Sequence, residues 1–235
     1  MENKDILKEF LNINGIEVIE KGKNGNFHNP AEKHVENLIK FHRRVMESDN
    51  YFDLAIKNNS GKDVMNYNIW FKRGLLLREE LNIKNDFFDE ILDKAKKSIE
   101  ILKGSNYISL MERATKRKEI ILGNCSVKNI YFRDNKLYIY DINKIEFNMV
   151  ENDCIKYILK EKRKKKYINI ERIISLFLEG EGLSEDSFNY IYGIVSYPKE
   201  SMKYISNNYI YDLKEESTLL DNLKNTTKID YIGVI

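Results

Sequence analysis

Apolar residues recur at three-to-four spacing along most of the chain, the signature of helices that bury one face. From Asn29-Pro30 onward, Val35, Leu38, Ile39, Phe41 and His42 make such a face, with Asn29 placed to cap and Pro30 in the first turn. The same spacing predicts helices over Tyr67 to Leu81, Asp86 to Leu102, Tyr107 to Lys118, Asp153 to Lys162, Ile170 to Leu178, Glu185 to Ser196 and Ser201 to Asn207. Glu215 to Lys224 adds a last amphipathic turn or two. Near the start, Lys4 to Leu11 reads as a short helix, Ile16 to Ile19 alternates like a strand, and Lys21 to Asn26 is rich in turn residues.

The texture changes over Ile120 to Phe147. Ile120, Ile121 and Leu122 are apolar and mostly β-branched, Ile130-Tyr131-Phe132 runs into the turn dipeptide Asp134-Asn135, and Leu137 to Tyr140 resumes the strand pattern. The chain is therefore mainly α with a small β-hairpin, an α+β protein built on one core.

Composition narrows the function. Apolar residues are 42% and charged residues 32% of the 235, a globular balance, and no apolar run approaches the ~20 residues of a membrane helix. Membrane insertion is not expected. Met1 to Phe10 lacks the apolar stretch of a secretion signal, so synthesis is expected in the cytoplasm. A net charge of +2 excludes polyanion binding driven by bulk charge. The one strongly charged window, Lys160 to Lys166, reads as a solvated helix end and loop, the alternative being a patch that docks on an acidic partner. Only Tyr167 offers an aromatic beside it, so no nucleic-acid platform is expected.

Cys125 and Cys154 show neither Cys-x-x-Cys spacing nor a His at ligand spacing and read as small, semi-buried side chains. His28, His34 and His42 lack a companion carboxylate or Cys cluster and read as helix-flank or packing residues. The tyrosines at 190, 192, 197, 204, 209 and 211 read as packing for the late helices.

A helical chain interrupted by a loop, a hairpin and an Asp just past the second strand has the layout of a kinase large lobe. There, a loop Asp accepts the hydroxyl proton, an Asn five positions later binds magnesium, and an Asp after the hairpin holds the phosphate-bridging magnesium. Here the loop reads Leu122-Gly-Asn-Cys-Ser-Val-Lys-Asn129, and Asp141 follows the hairpin; Asn129 and Asp141 fall where those metal ligands stand. Asn26-Phe-His-Asn-Pro30 with Leu38-Ile-Lys-Phe-His42, the helices Tyr67 to Leu77 and Phe87 to Leu102, and the stretch from Ser105 to Lys118 add to the pattern. Over residues 26–225 the chain resembles the CotS-like spore-coat proteins, a branch of the aminoglycoside-phosphotransferase and choline-kinase-like fold.

The resemblance implies a kinase-like large lobe over residues 27–235, with the catalytic-loop hairpin at 120–147. Residues 1–26 are then a short N-terminal remnant, a helix plus a strand, in place of a complete small lobe. It also implies specific losses. Family members with an intact loop read His-Gly-Asp-x-His-x-x-Asn, which sets Leu122 at the first His, Asn124 at the catalytic Asp and Ser126 at the second His. An Asn amide takes no proton near neutral pH, so the general base is gone. Asn143 stands where the family often has a second Asp, and Asp153 matches an Asp that braces the loop. The lone carboxylate of Asp141 with the amide oxygen of Asn129 is a poor site for magnesium, so no cofactor is expected beyond weakly held residual magnesium. Which residues would bind a nucleotide is not legible.

The expectation from the resemblance is a catalytically inactive, truncated pseudokinase of the spore coat. It would be made in the mother cell as a structural or docking component of sporulation, with other coat or sporulation proteins as partners and no small-molecule substrate. Two alternatives stay open: a phosphotransferase completed by a partner chain that supplies the nucleotide lobe, and a remnant without a selected role.

Overall fold

The helices form where apolar spacing places them, and their ends are set by identifiable caps. A computed structural model describes residues 3–19, 30–48, 54, 56–59, 65–164, 167–210 and 216–230. In chain order these contain α1 (Asn3–Ile13), β1 (Ile16–Val18), α2 (Ala31–Met46), β2 (Lys57–Asn58), α3 (Met65–Glu80), α4 (Asp86–Gly104), α5 (Tyr107–Arg117), β3 (Ile120–Ile121), β4 (Ile130–Arg133), β5 (Lys136–Ile139), β6 (Glu146–Phe147), α6 (Glu151–Arg163), α7 (Ile170–Glu181), α8 (Glu185–Ser196), α9 (Lys199–Ile210) and α10 (Glu216–Asp230). Asn85, Asn106 and Asn169 each accept a backbone N–H from the first turn of α4, α5 and α7. Lys118 and Gly182 close α5 and α7 in the left-handed conformation.

The hairpin is β4 and β5, antiparallel, with Ile130 opposite Ile139 and Arg133 opposite Lys136. Its turn residues, Asp134 and Asn135, have φ of 48° and 62°, the positive pair that a type I′ turn demands and that Asp and Asn tolerate. β1 adds to this sheet parallel to β5, Ile16 opposite Leu137, giving the order β1-β5-β4. Arg44 of α2 fastens that edge by donating to the carbonyls of Gly15 and Asn135. The sequence pattern does not foresee a second sheet of order β2-β6-β3, in which Ile120 lies antiparallel to Phe147 and Lys57 parallel to Glu146. Strands of two residues carry no periodicity to read.

The core is one cluster drawn from α2, the hairpin sheet, α6 and the other packed helices. There α4 packs on α8, α3 on α9, α9 on α10 and α2 on α7. Gly193 lets α8 approach Leu102 of α4, where any Cβ would overlap the leucine side chain. Asp230 at the end of α10 caps α9: its oxygens accept the N–H groups of Glu200 at 3.0 Å and Ser201 at 2.8 Å. α10 runs to Asp230, longer than the expected turn or two.

Four further expectations are corrected. Pro30 is the half-in residue before α2 and not within its first turn, its carbonyl accepting the His34 N–H at 3.0 Å. Cys125 and Cys154 are fully buried, not semi-buried. The charged window is not wholly solvated: Glu161 and Lys162 are buried, and the Lys162 ammonium donates to the Val195 carbonyl at 2.9 Å. His34 and His42 do more than pack, as described below. Tyr190 and Tyr197 are buried packing residues as expected, and the Tyr197 hydroxyl donates to the Tyr67 carbonyl at 3.0 Å. The readings that involve Lys21 to Asn29, His28, Lys165, Lys166 and Tyr211 lie outside the described residues.

Candidate functional site

The loop between β3 and β4 is the place where polar side chains converge from distant elements. It leaves β3 at Leu122, which is buried, and turns at Gly123 with φ +71°, where a side chain would be strained and its Cβ would overlap the Lys144 carbonyl. From α6, the Asp153 carboxylate accepts the N–H of Leu122 at 2.7 Å and of Gly123 at 2.9 Å. The start of the loop is thus tied to the first turn of α6. A second tie, outside the loop, runs from Arg113 of α5 to the buried carboxylates of Glu119 at 3.0 Å and Glu151 at 2.7 Å, aligning β3 and α6.

Asp153 is itself held by groups the sequence did not connect. His42 of α2 lies between two buried carboxylates, Nε2 at 3.0 Å from Asp153 and Nδ1 at 2.8 Å from Glu181 at the end of α7. Burial pushes the imidazole down, but the Glu181 charge and the two hydrogen bonds more than reverse it, up to about 10, so His42 is a buried cation. Burial raises the Asp153 carboxyl, but the His42 hydrogen bond and charge, with the Cys125 hydrogen bond and the Lys156 charge, together outweigh it and hold the carboxyl below its ordinary value. The Cys125 thiol donates to the other Asp153 oxygen at 3.0 Å, and burial pushes that thiol up, so it stays protonated. His34 donates from Nε2 to the Cys125 carbonyl at 3.1 Å; burial lowers it to about 4, and among the described residues its buried Nδ1 has no hydrogen-bond partner. The sequence signals for this cluster are the two His eight positions apart on one face and the resemblance that sets Asp153 against the loop; neither links His42 to Asp153 or Glu181.

At the hairpin end, Asn129 braces both strands. Its Oδ1 accepts the Asp141 N–H at 2.7 Å, and its Nδ2 donates to the carbonyls of Asn124 at 3.0 Å and Asp141 at 3.2 Å. The Asp141 carboxylate receives the N–H of Asn143 at 3.1 Å and its amide at 2.8 Å on one oxygen, and the Asn124 amide at 3.0 Å on the other. These donors, the Asn143 N–H foremost, hold the Asp141 carboxyl below the usual carboxylate range. Lys160 of α6 reaches Asn124 Oδ1 at 3.4 Å. Ser126 is half-buried and supplies its carbonyl to the Asn129 N–H at 2.7 Å.

The loop thus brings Leu122, Asn124, Ser126, Asn129, Asp141 and Asp153 into one constellation. Asn124 presents an amide and no base. Asp141 and the Asn129 oxygen are the donors that could face a divalent cation, and among the described residues no three His, Cys, Asp or Glu side chains gather as a metal cluster. No helix among the described residues is long and apolar enough to cross a membrane.

No family model matches the sequence, and no curated protein matches it either. Solved structures do. An aminoglycoside phosphotransferase from Alicyclobacillus acidocaldarius subsp. acidocaldarius superposes with a TM-score of 0.56 at 13% identity, covering 90% of this chain and 67% of its own. The fold is kinase-like, of the aminoglycoside phosphotransferase kind. The ADP-bound aminoglycoside phosphotransferase APH(2'')-Ib aligns at 13% identity with a TM-score of 0.41, over 97% of this chain and 81% of its own.

Proposed function

We propose that this chain is a catalytically inactive pseudokinase of the spore-coat type, acting as a structural or docking component in sporulation. The observation that carries the reading is the hydrogen bond from the Asn124 amide to Asp141 at 3.0 Å. Phosphoryl transfer needs a carboxylate near the attacking hydroxyl and a carboxylate free for magnesium. In this loop the first is an amide, and it donates to the second, so the pair is satisfied without proton acceptance and without a metal. Asn129 spends its side chain on the backbone in the same way, a strut of the hairpin and not a ligand. Among the described residues, the strand ahead of α2 pairs with the hairpin sheet, which supports reading it as part of the large lobe.

The spore-coat assignment and its partners, other coat or sporulation proteins, rest on the resemblance in sequence; the kinase-like fold agrees with it and is shared with enzymes. The test is direct. A ligand that binds the native state raises its melting temperature, so magnesium with ATP at millimolar concentration is expected to leave the melting temperature unchanged, and Asn124→Asp is expected to gain no ATP turnover. Turnover by either protein contradicts the inactive reading, and a melting temperature raised by magnesium with ATP favours the enzyme completed by a partner chain.

A further inference from the structure

We propose that the outer face of α3 pairs with the same face of a second copy of this chain, the two helices running antiparallel, to form a symmetric homodimer. The inference goes beyond the inactive reading and does not depend on it. α3 turns Tyr67, Gly74 and Leu77 into the core, where Gly74 faces Leu92 of α4 and Met202 and Ile205 of α9. On the opposite side Ile69, Lys72, Leu76 and Glu79 follow one another at spacings of three, four and three, with Leu75 beside them, and all five are exposed. Ile69, Leu75 and Leu76 are 40%, 37% and 43% exposed. A helix with apolar residues on both sides is suited to being covered on both sides, yet among the described residues α3 packs chiefly on α4 and α9. The other large apolar side chains exposed to this degree, Ile13, Ile108, Tyr167 and Ile210, stand singly on separate parts of the chain, whereas a cluster of them marks a contact surface.

The charges on this face name the occupant. Two cations of α3 are used within the chain: Arg73 donates to Ser206 Oγ at 3.2 Å, and Arg78 pairs with Asp89 at 2.8 Å. Lys72 and Glu79, on the exposed stripe itself, make no hydrogen bond or ion pair among the described residues. Seven positions separate them, about two turns or roughly 10 Å, too far for them to pair with each other. With a two-fold axis between Leu75 and Leu76 and the helices antiparallel, Lys72, three positions before Leu75, stands opposite Glu79 of the second copy, three positions after Leu76. The same pair repeats across the axis. The leucines of both copies meet at the axis, and Ile69 flanks each end of the contact. Parallel pairing in register would set Lys72 on Lys72 and Glu79 on Glu79, so the charges select one arrangement. A uniformly acidic or basic partner would meet a like charge at one of the two positions, whereas a second copy matches both. One face of a helix about 24 Å long, at about 1.5 Å per residue, is a small contact. The dimer is accordingly weak, with a Kd on the order of 10 µM.

Sedimentation velocity on the full chain, from about 1 µM to about 1 mM and without nucleotide, tests this. The weight-average mass is expected to rise from one chain toward two and no further, because a contact of a face with itself closes at the pair. Leu75→Lys combined with Leu76→Lys is expected to hold the protein as a monomer throughout, with its far-UV circular dichroism unchanged. Lys72→Glu is expected to weaken association about tenfold, the scale of two exposed ion pairs lost by symmetry, and adding Glu79→Lys to it is expected to restore the affinity. Ile108→Lys, at an exposed apolar residue of α5, is expected to change nothing. A single-chain mass at every concentration, which would leave the face to a different protein, overturns the proposal. So does growth beyond two chains, association that survives the two leucine replacements, undiminished association of Lys72→Glu, or a Lys72→Glu defect that Glu79→Lys does not repair. Turnover of ATP and melting with nucleotide are read separately, so failure of the inactive reading and failure of the dimer are told apart.

Discussion

The Asn124 side-chain amide and the Asp141 carboxylate meet at 3.0 Å, one as donor and the other as acceptor. A hydrogen bond from a neutral amide to a carboxylate stands where two carboxylates would repel each other unless a cation lay between them. The loop therefore holds its shape through its own amides, with Asn129 and Asn143 completing the set.

Asn124→Asp replaces that hydrogen bond with a like-charge contact. The variant is expected to lose about 1 kcal/mol at neutral pH, softened by the nearby Lys160 ammonium, and to recover on adding millimolar magnesium. The wild type is expected to be indifferent to magnesium. Chemical denaturation of both proteins with and without the ion checks this, and a variant that magnesium does not stabilise counts against the geometry described.

His42 sets the pH dependence. Its folded value, raised to about 10 from 6.5, contributes stability that is complete below about pH 6.5 and is lost as pH rises through 10. The lowered Asp153 carboxyl works in the opposite sense, contributing above its ordinary value near 3.8 and losing it on acidification. Between these limits the cluster is fully charged and most stabilising. His42→Gln strands two buried carboxylates and is expected to cost roughly 3–5 kcal/mol near neutral pH, with the deficit shrinking as pH climbs toward 10. Urea titrations of both proteins across that range read the difference; a deficit independent of pH would show that His42 is not charged.

Gly123→Ala forces a side chain into the left-handed region and against the Lys144 carbonyl. A loss of roughly 2–4 kcal/mol is expected, larger than the 1–2 kcal/mol of the backbone conformation alone. Gly182→Ala, also at positive φ but with open space around it, isolates the conformational part. Equal losses in the two variants would remove the steric contribution.

Asn129→Leu keeps the volume near that of the amide and removes three hydrogen bonds, leaving the Asp141 N–H without its acceptor. About 2–3 kcal/mol is expected. Hydrogen exchange at the Asp141 amide is expected to accelerate by a larger factor than exchange in α8, since the opening is local.

Sequence alone determined the helices and the turn. Apolar residues at three-to-four spacing mark a buried face wherever the chain folds, and Asp134-Asn135 tolerates positive φ whatever surrounds it. It also determined the chemistry of the loop, because an amide at position 124 lacks a base in any arrangement. The tertiary structure decided what those residues meet. His42 reaches Asp153 across 111 positions and Glu181 across 139, and nothing local to His42 marks it as charged. Cys125, Lys162 and the pairing of β1 with β5 belong to the same class. Periodicity reports which face of an element is buried; the partner on the other side of a buried polar group is set by long-range packing, which leaves no pattern in the neighbouring sequence.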